Sequence, residues 1–248
     1  MSDANATPPL PLFYRRPRAM DPALHGQLRL GSPGDFRFAR KANAVALLGP
    51  EFPQAARFYP IVFTSGANAL PAAVLGLKTD DNLLVDAGGR WEAGAYVPAY
   101  VRRYPFIFVE APERDRLTLC IDEAAEQLSS DGPRPLFDGN QPAEVTRQAL
   151  ELCTSFQRDA AATRAFVEAL EAAELLVERR ADVALERGER MAVAGFRVID
   201  EAKFNALDDA TFLDWRRRGW IGLAYCHLLS SGNWGGLVER AARRSAQG

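Results

Sequence analysis

The spacing of apolar positions divides the chain into two stretches of different character. Through the first, apolar residues come in short runs interrupted by glycine, proline and acidic pairs. Residues 28–30 and 36–48 read as strand-like patches broken around Gly31, Pro33 and Gly34. Pro50 and Pro53 open a short helix to about Phe58, since proline is tolerated in a first helical turn. The run Ile61-Val62-Phe63 suits a buried strand, and residues 70–77 and 83–85 continue as strands about turns at Ser65-Gly66 and Asp80-Asp81-Asn82. Pro98 starts a short helix that Pro105 stops near Tyr104. Strands at 106–109 and 117–121 follow, joined around Pro112 to Asp115. With no segment long enough for a parallel crossover, these strands form an antiparallel meander.

After Pro142 the period lengthens. Val145, Ala149, Leu152, Cys153 and Phe156 share one helical face, and Phe166, Val167, Leu170 and Ala173 share another. Two helices, or one long helix bent near Arg158-Asp159, both satisfy the pattern. Residues 177–186 and 190–199 form a hairpin around Arg187-Gly188-Glu189. Asp208 or Asp209 caps a helix carrying Phe212, Leu213 and Trp215 and ending near Gly219. Helices over 221–229 and 234–243 close the chain, separated by Ser230-Ser231-Gly232-Asn233.

The expected class is α+β: an antiparallel sheet, meander plus later hairpin, packed with helices concentrated in the C-terminal half. All 16 prolines lie at or before Pro142. That asymmetry marks a change of secondary structure inside one domain spanning residues 1–248. Within it, 1–11 is a flexible lead-in, 12–141 a β-rich half, and 142–248 a helix-rich half holding the hairpin 177–199.

Composition narrows the chemistry. At 248 residues, 48% apolar and 25% charged, the chain is neither disordered nor a disulfide-stapled miniprotein. Each side of Pro142 carries a charge near -1, which argues against a nucleic-acid module. There are 27 arginines against three lysines, a bias that GC-rich coding accounts for better than anion recognition does. Cys120, Cys153 and Cys226 are scattered and odd in number, as buried thiols in a reducing compartment are. No apolar stretch reads as a secretion signal or membrane span, so a cytoplasmic protein is expected, with export by a signal-less route left open.

Two histidines, His25 and His227, do not make a metal site, and no cofactor is expected. There is no G-x-S-x-G elbow, no Walker loop and no dinucleotide fingerprint. The adjacent carboxylates Asp80-Asp81, Asp122-Glu123 and Asp208-Asp209 read as solvated turn formers. The richest segment runs from Arg90 to Phe106. Tyr96, Tyr100 and Tyr104 recur every fourth residue, with Arg90, Trp91, Arg102 and Arg103 interleaved. Such a composition suits a recognition surface, because Tyr, Trp and Arg dominate binding hot spots. It suits still better a short helix whose aromatic rings pack onto a sheet, since amphipathic rings often serve packing.

Several blocks in order resemble the SapC-like proteins of bacteria. They are Phe13-Tyr14-Arg15-Arg16-Pro17, Asn43 to Leu48 with Glu51-Phe52, Tyr59 to Phe63, and Asn82 to Asp86. Arg90-Trp91 to Pro105-Phe106, Leu119 to Glu123, Asp200-Glu201 to Leu207, and Tyr225 to Asn233 complete the series. The family name is linked to paracrystalline surface layers, and other members neighbour genes for TonB-dependent receptors and halogenase-like flavoproteins. The resemblance carries no catalytic residue onto any position here. It implies a non-enzymatic accessory or binding protein of a surface-layer or outer-membrane uptake system, and the composition of residues 90–106 makes them the surface expected to engage a protein or peptide, with self-association left open. The alternative is an enzyme or a small-molecule or peptide sensor with an Arg/Tyr-lined pocket near those residues.

Overall fold

The computed structural model describes residues 10–66, 68–111, 116–184 and 190–247. The turns expected at Pro112 to Asp115 and Arg187 to Glu189, and most of the lead-in, lie outside them. The chain divides into two compact units, Met1–Phe38 with Arg103–Thr154, and Ala39–Arg102 with Ser155–Gly248. Each unit therefore draws on both sides of Pro142. In chain order, β1 (Pro17–Ala19), α1 (Pro22–His25) and β2 (Arg29–Leu30) begin the first unit. β3 (Ala44–Ala46), α2 (Phe52–Ala55), β4 (Ile61–Thr64), β5 (Pro71–Val74) and α3 (Ala99–Arg102) belong to the second. β6 (Phe106–Ala111), β7 (Arg116–Asp122), β8 (Leu128–Ser129), β9 (Arg134–Pro135), β10 (Phe137–Asp138) and β11 (Gln141–Pro142) return to the first. After α4 (Glu144–Ala172) come β12 (Leu176–Ala184), β13 (Arg190–Ile199), α5 (Glu201–Asn205), α6 (Asp209–Arg217), α7 (Trp220–Ser230) and α8 (Trp234–Gln247). The result is an α+β fold with antiparallel sheets and its long helices in the C-terminal half.

In the first unit, β7 is the central strand of a β1-β7-β6 sheet. Phe106 and Ile121, cross-strand partners, pack into one cluster with Leu30, Leu136 and Cys153, while Ile107 and Cys120 pack into another with Tyr14 and Tyr104. That is the two-residue period of a strand, with successive side chains leaving opposite faces. The chain enters this unit over α1, where Asp21 accepts from the Ala23 N–H and Pro22 occupies the first turn.

In the second unit the strand order is β12-β13-β4-β5-β3. β4 is central because Ile61, Val62 and Phe63 are all buried, and branched or aromatic residues suit a strand covered on both faces. The expected hairpin joins this sheet through β13, with Phe196 opposite Thr64 and Arg197 opposite Phe63. The meander is thus spread over separate sheets, β3 to β5 here and β6 and β7 in the first unit.

Two strand expectations fail for one reason. Residues 83–84 lie in a turn and Val85 forms an isolated bridge with Trp91; the Leu83 N–H donates to the Leu75 carbonyl and the Leu84 carbonyl accepts the Glu92 N–H without a strand forming. Asn82, fully buried, donates from Nδ2 to the Ala39 carbonyl and accepts the Leu84 N–H on Oδ1, so its amide replaces a ladder partner. Likewise Asp35 accepts the Arg37 N–H, and residues 37–39 wind into a 3-10 turn instead of a strand. Close packing beside Asn82 also dictates Gly76: a Cβ there would lie 1.7 Å from the Asp81 carbonyl oxygen.

The helical half follows its pattern more closely. The stripes from Val145 to Leu170 lie on one continuous helix, α4, rather than two, and Ala173 falls just past its end. Asp208, not Asp209, caps α6 through the Thr211 N–H, and Gly219 (φ 76) supplies the left-handed residue between α6 and α7. The short helix α5, capped by Asp200 on the Ala202 and Lys203 N–H groups, has no counterpart in the sequence expectation.

Candidate functional site

The segment 90–106 divides between the units. Arg90, Trp91, Tyr96, Tyr100 and Arg102 lie in the second, Arg103 and Tyr104 in the first. Asp86 begins the second-unit portion by accepting the Arg90 N–H at 2.8 Å, leaving the Arg90 side chain exposed. Trp91 turns inward, and its indole Nε1 donates to the Tyr59 hydroxyl at 3.1 Å. Tyr59, fully buried, donates in turn to the Tyr96 carbonyl. Burial pushes the Tyr59 phenol well above its ordinary range, so it serves as a neutral link.

Glu51 sets the geometry of the next turn. It ends a 3-10 turn over Gly49–Glu51, and its Oε2 reaches back to the Leu48 N–H at 2.9 Å, a capping-box contact. Its Oε1 accepts the Ala99 N–H at 2.6 Å and the Tyr96 hydroxyl at 2.8 Å. A carboxylate 6% exposed is thereby satisfied by hydrogen-bond donors, as a buried charge must be. Arg102 completes the cluster. It donates from Nη2 to the Tyr96 hydroxyl at 3.2 Å and from Nε to the Val97 carbonyl at 3.0 Å, with its guanidinium 5.8 Å from the Tyr96 ring centroid. Desolvation, then the Glu51 charge, pushes the Tyr96 phenol up to about 12. Tyr100 points away from this cluster, buried, its ring 6.3 Å from Phe156. Outside the segment core, Glu92 takes a bidentate pair from Arg240 of α8, both bonds at 2.7 Å.

In the first unit, Tyr104 is buried and stacked on Phe38 with centroids 4.3 Å apart. Its hydroxyl donates to Asp122 at 3.1 Å. Arg103 sits half-buried, 5.8 Å from the Tyr14 ring centroid. Asp122 is not the solvated turn former expected of an adjacent acidic pair. It is fully buried and accepts the Arg15 and Arg16 N–H groups at 3.1 and 2.7 Å besides Tyr104. Asp122 is the last residue of β7, the central strand of its sheet, whereas Glu123 already lies in the following turn, so the two acids of the pair do not share one environment.

Of the seven sequence candidates, Trp91, Tyr100 and Tyr104 are core, Tyr96 and Arg103 half-buried, and Arg90 and Arg102 exposed. The geometry brings together Tyr96 and Arg102. It adds Glu51 and Tyr59, which no motif marked. Both stand in blocks that resemble the SapC-like proteins, and beyond that their signal was a lone acid inside the apolar Leu47 to Phe52 stretch and a tyrosine ahead of the Pro60 to Phe63 run. Cys120 and Cys153 are buried, and desolvation raises both thiols, which suits the inert role expected of them. Among the described residues, no group of His, Cys, Asp and Glu could hold a metal ion, and no helix is long and apolar enough to cross a membrane.

No curated protein and no solved structure matches this chain. A protein-family model described as SapC matches residues 20–237 of the 248, a span that includes Glu51, the whole 90–106 segment and every strand from β2 to β13. With most of its length matched in register, the chain belongs to the SapC family.

Proposed function

We propose that this protein is a non-enzymatic binding or accessory protein of a bacterial surface-layer or outer-membrane uptake system, acting from the cytoplasm. Its partner is a protein or peptide segment presenting a carboxylate. The observation that carries this reading is the Tyr96–Arg102 pair. An exposed guanidinium is held by two hydrogen bonds against a half-buried ring whose hydroxyl is anchored on Glu51. A fixed aromatic–arginine pair loses little side-chain freedom on binding, which is the property of hot-spot residues. Exposed Arg90 adds a second cation on the same segment. The rival enzyme reading is less well supported here, because a phenol raised to about 12 is a poor proton donor near neutral pH.

The test is co-precipitation followed by calorimetry, using surface-layer and outer-membrane fractions of a bacterium that carries the protein. Arg102→Ala and Arg90→Ala alter exposed side chains, so folding should be retained. Arg102→Ala is expected to weaken partner binding by about tenfold or more. Undiminished binding by both variants would refute this surface.

A further inference from the structure

A cavity of about 610 Å³ opens within the second unit, away from residues 90–106, between β4, β13, α5 and the end of α7. Its volume falls in the range of small-molecule sites. Val62, Val198, Leu228 and Trp234 contribute apolar surface, and Trp234 is held by stacking on Phe196 at 5.6 Å. Arg179 and Glu201 line the same cavity, both exposed. Neither side chain makes an ion pair or hydrogen bond among the described residues. Two opposite charges left unneutralised around one apolar-backed cavity are each available to a ligand group of the other sign.

The backbone supports the placing of Arg179. The β12–β13 register shifts between Arg179 and Ala181, opposite Gly195 at φ 80. A bulge of this kind, with glycine in the left-handed region, re-aims the neighbouring side chains and recurs beside binding sites. His227 adds a third feature. Its ring lines the cavity and is buried, and its Nε2 accepts the Ile199 N–H at 3.0 Å. Nδ1 therefore carries the proton, and this donor makes no hydrogen bond of normal geometry among the described residues. The Ile61 backbone serves this proton only in part, and a ligand carboxylate or carbonyl in the cavity would serve it better.

We propose that this cavity binds a small zwitterion with an apolar side chain, an α-amino acid or a short peptide, with Arg179 on its carboxylate, Glu201 on its ammonium group and Trp234 against its side chain. Arg recognises a carboxylate through a two-pronged fork, and an aromatic face suits an apolar group. The site shares no residue with the Tyr96–Arg102 surface, so either reading can fail without the other.

Isothermal calorimetry on the full chain with L-leucine, dileucine, N-acetyl-L-leucine and L-leucinamide tests the assignment and separates a free amino acid from a peptide. Leucine or dileucine should bind, and capping either end should weaken binding by about tenfold. Arg179→Ala should erase the preference for leucine over leucinamide. Glu201→Gln should erase the preference over N-acetyl-L-leucine. Both residues are exposed, and circular dichroism matching wild type confirms that the variants fold. Absence of binding by both leucine and dileucine, equal binding of the capped compounds, or unchanged preferences in the variants would overturn the assignment.

Discussion

At the scale of single residues, buried carboxylates organise this protein. Glu51 and Asp122 each collect donors from separated parts of the chain. Each acts as a tether between them. Replacing Glu51 by Gln puts an amide N–H₂ where a donor already points, so at least one of its three bonds is lost and one group is left unpaired. Urea denaturation should show a loss of about 1–3 kcal/mol for Glu51→Gln. A change below about 0.5 kcal/mol would mean that the carboxylate does not hold the Tyr96–Ala99 turn. None of this was legible from residue type. Glu51 sits between two prolines' worth of turn and Asp122 beside another acid, and both contexts normally place a carboxylate in water.

At the scale of elements, local chemistry decides more than hydrophobic pattern wherever an Asx side chain can reach the backbone. Asn82 and Asp35 each satisfy an N–H two residues ahead and so remove the strands that the apolar pattern at 83–85 and 36–39 suggested. Helices were more legible, because a stripe sustained over many turns outweighs any single residue. The glycines of the α6–α7 region allow a paired check. Gly219 is left-handed at φ 76, whereas Gly222 lies inside α7 with open space around it. Gly219→Ala should cost roughly 1 kcal/mol, and Gly222→Ala should gain roughly 0.5–1 kcal/mol, the same added methyl acting with opposite sign. Equal effects in thermal melts would contradict the turn geometry.

At the scale of the molecule, His227 ties the second unit's sheet to α7 through the Ile199 N–H. Burial pulls its pKa down from 6.5 to about 4, with the Ile61 backbone offsetting part of the shift. The unfolded chain therefore binds this proton more readily than the folded one. Its contribution is intact above about pH 6.5 and is lost progressively as pH falls toward 4, by roughly 2–3 kcal/mol at the lower end. Chemical denaturation across that window should show the decline in wild type and a flatter profile in His227→Gln. Parallel profiles would assign the acid sensitivity to other groups.

The amino-acid order by itself determined the α+β class, the C-terminal helices with their break at Gly219, the 177–199 hairpin and the family. All of these rest on periods, caps or blocks that a few neighbouring residues express. The choice of Asp208 over Asp209 as a cap waited for the structure. Which residues share a unit, and which of the Arg90–Phe106 aromatics face inward, was decided only in three dimensions. The division at Arg102–Arg103 cuts through the middle of one continuous motif. Burial of Tyr100 against Phe156 follows from a partner that lies tens of residues away along the chain. The apolar pattern that opened the reading records how strongly each stretch prefers a strand or a helix. It carries no information about which distant donor a buried carboxylate will find.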